Sequence, residues 1–172
     1  IVLNANANGD TAYLFYNGGG EVLTQAAGHT IRGAGRVYVS MINNGVIRAD
    51  LAGRTLELNA VNKINNATIQ ATGGGNLLVN GISVTQNSPG AFSTTTGGTL
   101  SFNNAAINGG AINTLPAAAA YVSNSYFNGV TFAGVTNVNA GAAMRTQSGF
   151  TNNGTITINP AADNVNTSLQ FI

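Results

Sequence analysis

Apolar and polar positions alternate with a period of two along most of this chain, in short runs broken by Gly and Asn. Gly35-Arg36-Val37-Tyr38-Val39, Gly53-Arg54-Thr55-Leu56-Glu57-Leu58, Gly75-Asn76-Leu77-Leu78-Val79 and Gly98-Thr99-Leu100-Ser101-Phe102 share one form, glycine and then alternation. That period is the signature of a strand with one side buried. Leu56, Leu77 and Leu100 stand 21 and 23 residues apart, so the form recurs as well as alternates. A second phrase interleaves with it: Ile42-Asn43-Asn44-Gly45-Val46-Ile47 returns as Ile64-Asn65-Asn66-Ala67-Thr68-Ile69, from Phe102 to Ile107, and from Thr151 to Ile156. Its closing residues Ile47, Ile69, Ile107 and Ile156 are 22, 38 and 49 apart, which reads as one, two and two and a half periods of about 20. Helical periodicity is nowhere sustained. Pro116-Ala117-Ala118-Ala119-Ala120 is the one candidate helical turn, and is better read as a lateral loop.

Several architectures hold short strands at a fixed spacing. Propeller blades need about 40 residues or more per repeat. A sandwich has turns often enough but no reason to repeat its wording. A parallel β-helix has one, because each coil lies about 4.8 Å from the last and sets equivalent residues directly above one another. The expectation is an all-β, single-stranded parallel β-helix of about 20 residues per coil, one domain over residues 1–172, with about eight coils in a rod roughly 40 Å long. Asn44, Asn66, Asn104 and Asn153 are expected to stack as a corner ladder of amides. The chain opens at Ile1 as if in mid-strand, as a piece of a longer exported protein would.

Composition narrows the surface. Hydrophobic residues make up 44% of the chain and charged residues 6%, with 23 glycines and a net charge of +1. Apolar content of that order is enough to bury a core. A surface of amides and hydroxyls with so small a net charge gives no appreciable electrostatic attraction for nucleic acid or anionic lipid. No apolar run is long enough to span a bilayer, and with no Cys there are no disulfides or thiolate metal sites.

Thr30-Ile31-Arg32-Gly33-Ala34-Gly35, the Asn-Asn-Gly-x-Ile phrase and Thr72-Gly73-Gly74-Gly75-Asn76-Leu77 together resemble the right-handed β-helical passengers of bacterial surface proteins, the filamentous-haemagglutinin-like and autotransporter-type adhesins. The resemblance covers residues 28–160 and implies a right-handed coil and a secreted or cell-surface location.

Candidate chemistry is concentrated in one region. Between Lys63 and Arg145 the chain has no ionisable Lys, Arg, Asp, Glu or His, so nearly half of it offers no general acid, base or carboxylate ligand. The remainder is Asp10, Glu21, His29, Arg32, Arg36, Arg48, Asp50, Arg54, Glu57, Lys63, Arg145 and Asp163. Asp50 and Glu57 are the nearest to the carboxylate pair that a polysaccharide hydrolase requires. One carboxylate beside arginines falls short of the calcium site of a lyase, and the plainer expectation is loose pairing with Arg36, Arg54 and their neighbours across coils. His29 stands alone in a turn. Gly73-Gly74-Gly75 reads as a tight corner, since no Lys-Ser/Thr follows it. Three Asn-x-Ser/Thr triplets, at Asn66, Asn153 and Asn166, are expected by chance in so Asn- and Thr-rich a chain. Tyr13, Phe15, Tyr16, Tyr121, Tyr126 and Phe127 could stack on sugar rings or pack internally.

The function expected is that of a structural or adhesive segment of a bacterial surface or extracellular fibre, without cofactor or metal. Its partners would be further copies of itself, or glycans and proteins of a host or matrix. Ile1, Val2 and Leu3 at one end and Leu169, Phe171 and Ile172 at the other are candidate assembly edges, because open strand edges invite pairing. The alternative is a polysaccharide-binding or polysaccharide-degrading β-helix. An ice- or crystal-binding face would need a regular Thr ladder, whereas Thr94-Thr95-Thr96 is a single cluster.

Overall fold

The computed structural model describes residues 1–6, 11–159 and 165–172, and over them the chain winds into a parallel β-solenoid. The winding makes about seven turns, roughly 21 residues apart. Each turn contributes a strand to three faces. Face A holds Val2–Asn4, the start of Thr30–Val37, Val46–Ala49, Thr68–Ala71, Ala91–Thr94, Ala111–Asn113, Thr131–Ala133 and Thr151–Asn152. Face B holds Tyr13–Leu14, the end of Thr30–Val37, Thr55–Leu58, Asn76–Asn80, Thr99–Asn103, Ala119–Ser123, Val135–Val138 and Thr155–Ile158. Face C holds Val22–Gln25, Ser40–Asn43, Lys63–Asn65, Ser83–Gln86, Ala106–Asn108, Ser125–Asn128, Ala143–Gln147 and Ser168–Phe171. No helix among the described residues is long and apolar enough to cross a membrane.

The alternation read from the sequence decides which side chains point inward. Ile31, Ile47, Ile69, Phe92, Ile112 and Phe132 register one above another on face A. Leu56, Leu77, Leu100 and Ala120 do so on face B, as do Leu58, Val79, Phe102, Val122 and Val138. All of these are essentially inaccessible to water. Each large one contributes about 1.5–3 kcal/mol through burial, so the stacked columns are the principal source of cohesion.

Turn length varies where a corner is built differently. Thr30–Val37 serves faces A and B as one bent strand, so Thr30 meets Val46 only 16 residues later. The bend requires Gly33 (φ 109°) and Gly35 (φ 145°), where a Cβ would strike the backbone oxygens of Leu3 and Ala12 in the preceding turn. In the first turn Val2 meets Arg32, 30 residues on, and the extra length includes an exposed Phe15-Tyr16 loop.

The repeated Asn phrase turns out to serve every corner. From Ile42 to Ile47 and from Ile64 to Ile69 it carries the chain from face C to face A; from Phe102 to Ile107 it passes from B to C; from Thr151 to Ile156 it passes from A to B. The 38- and 49-residue gaps are therefore shifts of whole turns less one face, and not two and two and a half turns. The alanine run also differs from expectation. Only Leu115 to Ala118 forms a turn, closed by Ala118 N donating to Leu115 O, and Ala119–Ser123 is a face-B strand with Ala120 in the core.

Candidate functional site

Five charged residues, Arg32, Arg36, Arg48, Asp50 and Glu57, form two ion-paired groups on adjoining faces. On face A, Arg32 and Arg48 lie side by side in register, and Asp50 Oδ2 accepts from Arg32 Nη1 at 3.3 Å and Arg48 Nε at 3.1 Å. On face B, Arg36 is in register with Glu57, and its Nε lies 3.0 Å from Glu57 Oε2. Glu57 Oε1 accepts from Asn59 Nδ2 and from Asn80 Nδ2, both at 2.9 Å. The hydrogen bond from Arg36 Nη1 to Tyr38, followed by the charge of Glu57, raises the Arg36 pKa above its ordinary value. Arg54 Nη1 donates to Asn6 O at 2.7 Å. Asp50 and Glu57, the carboxylates singled out from the sequence, thus belong to separate clusters, each held by its own arginine partners. Asp10 and Asp163 lie outside the described residues.

Lys63 is a different kind of residue. It points inward on face C, in register between Met41 and Val84, and is 3% exposed. Its Nζ turns toward the adjacent corner and donates to Asn59 O at 3.2 Å and Val61 O at 2.7 Å. Desolvation lowers its pKa from 10.5 to about 8, because low-dielectric surroundings disfavour the cation. The ammonium staples the Asn59-Ala60-Val61 turn, where Ala60 holds a positive φ of 65°.

Amide ladders occur in two registers at the corner between faces C and A. The outer one joins Asn66 Nδ2 to Asn44 Oδ1 at 2.7 Å and Asn87 Nδ2 to Asn66 Oδ1 at 2.8 Å. Asn104 lies instead at the B-to-C corner, at φ 48°, and Asn153 at the A-to-B corner. The structure therefore brings Asn44 and Asn66 together, and neither Asn104 nor Asn153 with them. The inner ladder is buried and was not singled out from the sequence: Gln25, Asn43, Asn65 and Gln86 occupy successive turns. Asn43 Nδ2 donates to Asn65 Oδ1 at 2.7 Å, Asn65 Nδ2 to Gln86 Oε1 at 3.3 Å, and Gln86 Nε2 to Gly109 O at 3.0 Å. Continuing the alternation inward from Met41 would have found Asn43.

Aromatic residues divide by location. Phe92, Phe102, Phe127 and Phe132 form a chain of rings along the core that continues outward through the partly buried Phe150 to the exposed Phe171, with successive centroids 5.0–5.9 Å apart. Tyr13, Phe15 and Tyr16 are outside, exposed beside Tyr38, and with Ala60 they border a hollow of about 440 Å³. Tyr13 and Tyr38 meet edge to face at 5.6 Å, and the Arg36 guanidinium lies 6.0 Å from each ring centre.

The remaining candidates are quickly placed. His29 is exposed in a turn, its N–H donating to Ala26 O. Gly73 and Gly74 make the A-to-B corner with positive φ, and a Cβ at Gly75 would sit 2.5 Å from Ala49 O. Ile1, Val2, Phe171 and Ile172 are largely exposed, Leu169 is partly buried, and Leu3 is packed into the core. Val2–Asn4 and Ser168–Phe171 are the terminal strands of faces A and C. No family model matches the chain, and no curated protein or solved structure matches it either.

Proposed function

We propose that this chain is a rigid segment of a secreted or cell-surface fibre that acts by contact along its length. The observation that supports this reading most directly is the continuity of the stacked columns through all three faces. Such a rod resists bending because every turn is hydrogen-bonded to both neighbours. Few and mostly paired charges and half-buried amides leave its sides polar with a net charge of only +1, a surface that can approach another with little repulsion. The edges at Val2–Asn4 and Ser168–Phe171 are where a further coil would continue the rod, supplied by a longer parent chain or a second copy. Partners in this reading are other copies, or glycans and proteins of a host or matrix.

The test is location with attachment. Antibodies against the chain should label the outside of intact source cells, and deleting its coding region should reduce attachment to a surface. Labelling confined to the cell interior would overturn the proposal.

A further inference from the structure

We infer that the hollow formed by Tyr13, Phe15, Tyr16 and Tyr38, together with the amide column of face B, is a binding site for a chain of uncharged sugar rings. This goes beyond the fibre reading, since it assigns a ligand class to one place on the rod. Phe15 is 62% exposed although it is fully apolar, and Tyr13 and Tyr16 are exposed beside it. Aromatic faces displayed in this way suit the axial C–H faces of a pyranose, while the Tyr13 and Tyr16 hydroxyls can meet its rim.

Polar groups are arranged to continue the contact along the rod. Asn80 Nδ2 donates to Glu57 Oε1 at 2.9 Å, and Asn103 Nδ2 to Asn80 Oδ1 at 3.1 Å, so a column of amides leaves the hollow along the edge of face B. These side chains are half-buried and orient one another, which lowers the entropy lost when a ligand hydroxyl binds. The floor itself is held from below by Lys63 Nζ on the carbonyls of Asn59 and Val61.

Charge identifies the occupant. Arg36, the cation at the hollow, is neutralised by Glu57 at 3.0 Å, and no charged side chain follows Lys63 until Arg145. Among the described residues, a polyanion would find no unpaired cation lining the hollow. An apolar peptide would match the rings and leave the amide column unused. A polyhydroxylated, uncharged chain matches both.

The experiment titrates the intact chain with hexasaccharides of β-1,4-glucan, β-1,3-glucan, xylan and mannan, with oligogalacturonate and heparin as charged probes. Binding is read by calorimetry and by tyrosine emission, which no Trp obscures. At least one neutral hexasaccharide should bind saturably, and Phe15→Ala and Tyr16→Ala should each weaken it tenfold or more with an unchanged melting temperature. Tyr126→Ala, on face C, should leave binding unaltered. The proposal is overturned by no saturable neutral binding, by binding of the charged probes alone, or by neutral binding that survives the Phe15→Ala/Tyr16→Ala double variant. It is equally overturned if the hollow's signal follows protein concentration instead of sugar, which would make a second copy the occupant. Failure here with labelling outside intact cells would leave the fibre reading standing.

Discussion

The two halves of the solenoid fill the same three-sided frame with opposite chemistry. In the N-terminal half the core is aliphatic around a buried amide ladder and one lysine, while aromatic rings are displayed outside. From Phe92 onward a column of phenylalanine rings fills the core, Tyr121 and Tyr126 lie outside, and Arg145 is the one charged side chain among the described residues. The ladder ends where Gln86 donates to Gly109 O, at the level where the ring column has begun. The frame tolerates either filling because face-to-face packing needs only volume and satisfied polar groups. The outer surface is then free to carry different business at each end.

That contrast can be attacked at several points. The largest effect belongs to the C-terminal core. Phe127→Ala removes the ring between Phe102 and Phe132, and should cost about 3–5 kcal/mol in urea denaturation. A loss below about 1 kcal/mol would show that the ring column merely fills space.

Lys63 tests the other half, and the expected sign is opposite. A lysine whose folded pKa is about 8, against 10.5 unfolded, penalises folding below pH 8. Stability should rise by up to about 3 kcal/mol as pH climbs through that window, because the unfolded chain holds the extra proton there. Lys63→Met, which extends the Met41 column, should stabilise the protein at pH 7 and remove this slope relative to the parent. A destabilised variant with the slope intact would refute the assignment.

Asn65→Ala removes the middle rung of the inner ladder. It leaves Gln86 Oε1 without its donor in the core and takes one of two acceptors from Asn43 Nδ2, which keeps Thr68 O, with an expected loss of about 1–3 kcal/mol. Replacing the outer-ladder Asn66 by Ala should cost less than Asn65→Ala under the same denaturant assay, since water can reach its partners. The smallest effect is expected for Glu57→Gln. It breaks the Arg36 pair but keeps a carbonyl acceptor, and because the pair is partly exposed the change should stay within about 1 kcal/mol. A loss several times larger would mean that the surface pairs hold the N-terminal turns together.

Much of the architecture was legible because a period of two and a period of about twenty leave separate marks. Leu56, Leu77 and Leu100 were read as one column and form one. The Asn phrase was legible as a corner but ambiguous about which corner, since B-to-C, C-to-A and A-to-B bends make the same local demands. Asn104 and Asn153 were consequently grouped with Asn44 and Asn66 although they lie at different edges of the prism. Lys63 was read as the last of a solvated charge cluster, because residue type outweighed its inward place in the alternation. Tyr13, Phe15 and Tyr16 were legible as candidate sugar-stacking rings, but the hollow was not, as they meet Tyr38 only when the first two turns stack.

By itself the sequence determined that the chain is all-β, that strands recur every twenty-odd residues, and which positions alternate inward. These are local properties, set by side-chain periodicity and by backbone turns that Gly and Asn accommodate. Only the tertiary structure decided which repeats lie above one another, that a lysine and four amides share the interior, and that aromatic rings gather at one outer edge. Those outcomes depend on how many residues each corner uses. Corners differing by a residue still return the next strand in register, as the spacings from Ile47 to Ile69 and from Ile69 to Phe92 show, whereas a one-residue slip of a strand would turn its inward side chains outward.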